Sequence, residues 1–287
     1  PGNSNGIYNG YYSMAGGLMN SVNTITAEVM METGPEDVVA LARGMGVRSR
    51  LPAVPSLALG TADVSLLEMV TAYTGFANGG VPVEPFGILR IEDSKGHILY
   101  EAGEAEQLPP AFSEETGILM SQMLQGVVDS GTAASARSIY GVRSRLAGKT
   151  GTTQNNADGW FIGYTPAFVA GVWVGAELPA VHFRTTALGS GSHMALPIFA
   201  MTAHAMENDP GLRTKYLLPF PAIPDTLAAM LDCPAFSREL PLEYLSRQEK
   251  REFRRELREK ETLEKDSSKE KKGFFRKVRD FFRRKDK

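Results

Sequence analysis

Leu146-Ala147-Gly148-Lys149-Thr150-Gly151-Thr152-Thr153 is a short apolar approach that ends in a cation, a glycine and three hydroxyls. Such a run suits an anion. The lysine carries a fixed positive charge, the threonines carry hydroxyl donors, and Gly151 lets another backbone come closer than any Cβ would allow. Two readings compete: the tail of a phosphate-binding loop, or a lysine-threonine-glycine element on the edge of a sheet. Spacing separates them. A phosphate-binding loop needs a glycine five residues before Gly148, and that position holds Arg143; Gly141 lies two residues too early.

The chain on the C-terminal side of this run is densely β in character. Asp158 to Tyr164 and Phe168 to Gly175 are apolar runs joined by Thr165-Pro166-Ala167, a short hairpin connection. Continuous apolar runs suit strands covered on both faces, so three successive strands should form an antiparallel meander. Gly189-Ser190-Gly191-Ser192 reads as a flexible loop and Met194 to Glu207 as a closing helix despite Pro197. On the N-terminal side the period is helical. Pro1 to Tyr12 is a Gly/Asn/Tyr loop, Ser13 opens a short helix, and Ser21-Val22-Asn23 forms a polar turn before a helix over Thr24 to Glu32. By itself Ser-x-Asn is a common way to cap a helix.

Gly34-Pro35-Glu36-Asp37 starts a helix with apolar Val38, Val39, Leu41, Ala42 and Met45 on its packed side. Thr61 to Ser65 is an N-cap region for Leu66 to Phe76, where Leu67, Val70, Tyr73 and Thr74 are expected in the core. Phe86 to Glu92 and His97 to Glu101 alternate about an Asp93-Ser94-Lys95-Gly96 turn and predict a peripheral hairpin. Ser113 to Val128 predicts a helix capped by Ser113, with Ile118, Leu119, Met123, Leu124 and Val127 on one face. Helices, then a sheet, then a helix argue for an α+β domain.

Charge is distributed unevenly. The net charge is −2, but residues 247–287 hold 18 Lys/Arg and 10 Asp/Glu, so this tail carries +8 and residues 1–246 carry −10. Cys233 is the single cysteine, which excludes an intrachain disulfide. His97, His182, His193 and His204 lack metal-ligand spacing, and we expect no metal and no cofactor. Residues 211–242 are punctuated by proline and read as a surface strap. Residues 243–287 read as a charged extension, helical or disordered, with Glu256–Lys260 and Glu261–Lys265 at i, i+4 spacing. Within it Phe274, Phe275, Val278, Phe281 and Phe282 share one helical face among Arg and Lys, a pattern that suits contact with an anionic membrane. No nucleic-acid partner is expected.

Pro1-x-Asn3, Gly10, Ser21-Val22-Asn23, Gly34-Pro35, Ala72-Tyr73 through Asn78-Gly79-Gly80, and Gly131-Thr132-Ala133 precede the Lys149 run. Asp158-x-Trp160-Phe161-x-Gly163-Tyr164-Thr165-Pro166 and Ala195-x-Pro197 follow it. In this order and register the chain closely resembles the transpeptidase domain of class A penicillin-binding proteins over residues 1–210. The resemblance implies a β-lactamase/DD-peptidase-like fold, an antiparallel sheet covered by helices, truncated at its N-terminus. It also implies peptidoglycan stem peptides and β-lactams as partners, a glycosyltransferase and membrane anchor upstream, and a domain on the periplasmic side of the inner membrane.

The resemblance further implies an active-site serine in a Ser-x-x-Lys motif ahead of Ser-x-Asn. In this chain the one serine with a lysine three residues on is Ser268, with Lys271, in the charged tail. The nucleophile is therefore expected upstream of Pro1, and the chain alone is expected to be inactive. Ser21 would relay a proton and Asn23 would hold the catalytic lysine and the substrate amide. Lys149 would supply positive potential, and Thr150 and Thr152 would donate to the terminal carboxylate. The Thr152 N–H would serve the oxyanion, and Gly151 would let the substrate lie along the strand. Trp160 is expected under the sheet. A binding or sensor module of the same fold, and a nucleotide binder, are the alternatives.

Overall fold

The computed structural model describes residues 1–3, 6, 8, 10–103 and 108–238. The chain divides into two units: residues 1–8 with 12–236, and residues 9–11 with 237–287. Nearly all of the second, including the Glu256–Lys260 and Glu261–Lys265 pairs and the Phe274 to Phe282 face, lies outside the described residues.

After the two-residue strand β1 (Tyr11–Tyr12), the helices α1 (Met14–Met19), α2 (Asn23–Thr33), α3 (Pro35–Gly44) and α4 (Leu66–Ala77) follow in order. Strands β2 (Arg90–Glu92) and β3 (Ile98–Glu101) form the hairpin. Helices α5 (Glu114–Asp129) and α6 (Ser135–Ser138) lead into β4 (Ala147–Thr152), β5 (Asp158–Thr165) and β6 (Phe168–Gly175). The chain then forms α7 (Thr186–Gly189), α8 (Gly191–Asn208), α9 (Pro210–Tyr216), α10 (Asp225–Ala228) and β7 (Phe236–Ser237).

The expected meander is present: β4, β5 and β6 pair antiparallel in that order, with Lys149 opposite Ile162 and Trp160 opposite Trp173. Helices α5 and α8 supply the buried layer on it. Leu124, Val127 and Val128 of α5 cluster with Leu146, just before β4, and with Ala147, Phe161 and Tyr164 of the sheet, and Leu196, Phe199, Ala200 and Ala203 of α8 complete the cluster. Each large side chain removed from water here contributes about 1.5–3 kcal/mol. Two glycines set the depth of the layer. Gly148 and Gly163 face each other across β4 and β5, and a Cβ on either would meet Phe161 within 2.7 Å. Phe161 and Phe199 occupy that space with ring centroids 4.9 Å apart, so the strand carrying Lys149 rests on an aromatic plug. Tyr164, fully buried, satisfies its hydroxyl on Ser121 Oγ at 2.9 Å.

Helix α4 starts as its sequence requires. Ser65 accepts from the Glu68 N–H and Glu68 returns a bond to the Ser65 N–H, a complete capping box. The bond from the Ser65 N–H, together with bonds from the Ser49 hydroxyl and from the Arg48 and Ser49 N–H groups, holds the Glu68 pKa down to about 2. Ser113 caps α5 through the Thr116 N–H.

Several expectations are corrected. Leu67 is exposed on α4, because Thr71, Ala72 and Gly75 are the residues that turn inward. Helix α3 buries none of its residues; Met45, just beyond it, carries the packing. The hairpin strands are shorter than predicted, since Phe86 to Leu89 are exposed without strand pairing. The Gly189 to Ser192 segment is no flexible loop. Gly189, Ser190 and Gly191 are buried, and their small size lets α8 begin directly against β4 and β5. Trp160, on the central strand β5 between Gly151 and Trp173, is half-buried and is not a fully buried residue beneath the sheet.

Candidate active site

Ser21 and Lys149 are 128 residues apart in sequence, and Lys149 Nζ donates to Ser21 Oγ at 2.8 Å. Ser21 reaches this position through its backbone. Its φ of 53° is in the left-handed region, which costs a residue with a Cβ roughly 1–2 kcal/mol. The turn is held by Ser21 N–H to Leu18 O (3.2 Å) and Val22 N–H to Gly17 O (2.9 Å).

Neither Ser21 nor Asn23 caps α2: Val22 is its N-cap residue and makes no side-chain capping bond. The first turn is instead served by Asn3, whose Oδ1 accepts from the Thr24 N–H at 3.1 Å and whose amide reaches Thr24 Oγ1 at 3.3 Å. The Asn23 amide donates to Gly2 O at 2.7 Å and makes no hydrogen bond to Lys149 among the described residues.

Lys149 also donates to the Thr150 carbonyl at 3.0 Å. Two acceptors leave one ammonium proton for a third partner. Burial pushes the ammonium pKa from 10.5 down to about 8, because the charged form has lost water on most sides. Beside it the Thr150 hydroxyl pairs with that of Thr132 at 2.8 Å. At the end of the strand Thr152 Oγ1 accepts from the Gly191 N–H at 3.0 Å, which leaves the Thr152 hydroxyl proton free to donate elsewhere. Gly151 is overlain by Trp160, where a Cβ would fall 3.1 Å from the Trp160 Cβ.

Of the six residues singled out from the sequence, Ser21, Lys149, Thr150, Gly151 and Thr152 gather along one strand and the turn beside it, while Asn23, two residues after Ser21, spends its amide on Gly2 O. Sequence reasoning missed Thr132 and Gly191 as partners of the strand. Thr132 follows Gly131, and Gly191 is itself a glycine at the start of α8, the one local sign that backbones approach closely there.

The arrangement can do three things. It presents an ammonium and two hydroxyls to an anion, it offers a serine oxygen within hydrogen-bond reach of a cation, and it sits on β4, at one margin of the three-stranded sheet. Together these suit an extended peptide ending in a carboxylate.

A family model described as the penicillin binding protein transpeptidase domain matches residues 3–201. Penicillin-binding protein 1A of Neisseria lactamica is 34% identical over 216 residues, covering 74% of this chain and 26% of that protein. Penicillin-binding protein 2D of Bacillus subtilis is 38% identical over 180 residues, covering 59% of this chain and 26% of that protein. The chain thus spans about a quarter of the length of the curated relatives it matches. Among solved structures, penicillin-binding protein 1A from Haemophilus influenzae has a TM-score of 0.68 at 23% identity, over 78% of this chain and 38% of that one. The PonA1 protein from Mycobacterium tuberculosis, solved in complex with penicillin V, has a TM-score of 0.63 at 22% identity, over 78% of this chain and 62% of that one. At these identities the likeness establishes a shared α+β fold.

Proposed function

The chain belongs to the penicillin-binding protein transpeptidase family, and from that premise we propose that it forms the carboxylate-recognition half of a serine acyl-transfer site acting in peptidoglycan cross-linking. The observation that carries this reading is the Lys149 to Ser21 contact at 2.8 Å beside the two strand hydroxyls.

In this reading a serine outside the present chain attacks the carbonyl carbon of the penultimate residue of a D-alanyl-D-alanine stem peptide. The C–O bond forms, the peptide C–N bond breaks, and the departing amine takes a proton. Ser21 is placed to relay that proton: it gives one to the amine and recovers the one that the attacking serine loses, so none is gained or lost overall. Its oxygen accepts from Lys149, so its own hydrogen is free and made more acidic by the adjacent ammonium. A second amine then attacks the acyl-enzyme and yields the cross-link; water in its place yields a trimmed stem. Thr150 and Thr152 donate to the terminal carboxylate, the Thr152 N–H faces the developing oxyanion, and bare Gly151 lets the peptide lie along β4. Asn23 would have to release Gly2 O to reach substrate. β-Lactams enter as mimics of the same peptide.

The family and the length of the relatives also support a longer parent protein with a glycosyltransferase and a membrane anchor, and with this domain on the extracytoplasmic side. Residues 1–210 would be the transpeptidase part, 211–242 a strap and 243–287 an extension. Contact of that extension with anionic lipid remains part of this proposal.

The test is labelling of the whole protein by a fluorescent penicillin. Lys149→Ala should slow labelling by about a hundredfold or more, with the melting temperature nearly unchanged. Labelling at the original rate would remove the assignment.

A further inference from the structure

The Gly131-Thr132 turn touches both halves of the site. The Thr132 N–H donates to Met19 O at 3.0 Å, two residues before Ser21, and the Thr132 hydroxyl meets Thr150 Oγ1 at 2.8 Å. The approach depends on Gly131, where a Cβ would lie 2.4 Å from Met19 O and 2.9 Å from Val127 Cα.

A hydroxyl pair contains two protons and uses one between its oxygens, which leaves the other for a further acceptor. The Ser121–Tyr164 pair shows the structural version of this device, since both residues are buried and no ligand can reach them. Thr132 and Thr150 differ in being half-buried at the strand that also carries the Lys149 ammonium.

Resting on the transpeptidase reading, we propose that Thr132 is a positioning residue for acyl transfer, whose hydroxyl fixes that of Thr150 so that the second proton of the pair meets the substrate carboxylate. Without Thr132 the Thr150 hydroxyl rotates freely, and the incoming anion must order it.

The experiment compares Thr132→Val, Thr132→Ala and Thr132→Ser in the whole protein. Acylation is measured with a penicillin bearing its free carboxylate and with the methyl ester of the same penicillin. Thr132→Val should lower acylation by the free acid roughly tenfold, the scale of one hydrogen bond to a charged group. Its effect on the ester should be under about twofold, an estimate that follows from the ester's lack of charge. The loss should appear mainly as weaker binding, with the acylation step little changed. Thr132→Ala, which cannot overpack the turn, should give the same acid-to-ester ratio, and Thr132→Ser should restore it. An unchanged ratio in both Val and Ala variants overturns the assignment, and so does equal loss for acid and ester. If the unsubstituted protein takes up no fluorescent penicillin, the transpeptidase reading fails and this one with it; normal uptake with an unchanged ratio defeats this one alone.

Discussion

The β4–β5 pair and the β2–β3 hairpin are both antiparallel, both short, and both joined by turns that need left-handed backbone. In the hairpin turn Gly96 has φ 82° and Asp93 accepts from the Lys95 and His97 N–H groups. In the β4–β5 turn Asn155 and Asn156 have φ 59° and 57°. There the similarity ends. Every residue of β2 and β3 is exposed, whereas β5 buries six of its eight residues. The hairpin displays more apolar surface, including Ile91, Ile98, Leu99 and Tyr100, and around it a cavity of about 300 Å³ is lined by Phe86, Gly87, Ile88, Ile91 and Tyr100. Yet the polar groups that could do chemistry converge on β4. A site here is marked by side chains held from several directions, and apolar exposure alone does not mark one.

The comparison can be broken first at its glycines. An added Cβ on Gly191 would fall 2.2 Å from Gly151 O and 2.5 Å from Trp160 O, all backbone that cannot swing aside. Gly191→Ala should therefore cost about 3 kcal/mol in urea unfolding and displace Thr152. At Gly96 no atom lies within 4 Å of an added Cβ, so Gly96→Ala meets only the left-handed backbone cost of about 1 kcal/mol. Equal losses would mean that the two pairs are supported alike.

A smaller effect sharpens the electrostatic side. The Lys149 pKa is near 8 in the folded chain and 10.5 without the fold. Its burial therefore opposes folding below pH 8, and that opposition is relieved as pH rises from 8 towards 10.5. Penicillin labelling should run the other way, falling about tenfold for each pH unit above 8 as the ammonium is lost. A labelling rate flat to pH 10 would show that the charge of Lys149 is not used.

The hairpin should give the smallest response. Bonds from His97 and Lys95 hold the Asp93 carboxyl below its usual 3.8. The stabilisation it gives is fully present above that value and disappears as pH falls through the lower folded value. Asp93→Ala should shift the acid limb of hairpin amide exchange and leave labelling at pH 7 unchanged. A change in labelling would tie the hairpin to the site.

Much of this could be read in the residues. The meander follows from apolar continuity, α4 from the Thr61 to Ser65 N-cap region, and the hairpin from alternation about Asp93 to Gly96. The meeting of Ser21 with Lys149 could not be read from spacing; it came from the order of motifs in a resembling family. Three features gave at most a neighbouring glycine as a local signal. Thr132 is a lone hydroxyl in a turn, with its partner 18 residues away. Asn3 caps a helix that begins 20 residues later, a tertiary contact with no sequence period. Gly189 to Ser192 has the composition of a flexible linker, and the same lack of side chains is what allows it to be buried.

The position of β4 at a margin of the sheet has a second side. A strand at the margin of a sheet is a template for a second copy of itself, and small residues such as Ala147, Gly148 and Gly151 do little to prevent such pairing. The one bulky charge on that strand is Lys149. Two copies brought edge to edge would set like charges against each other while a carboxylate-bearing peptide would be attracted, so the charge of Lys149 disfavours self-pairing along β4 without opposing an anionic strand.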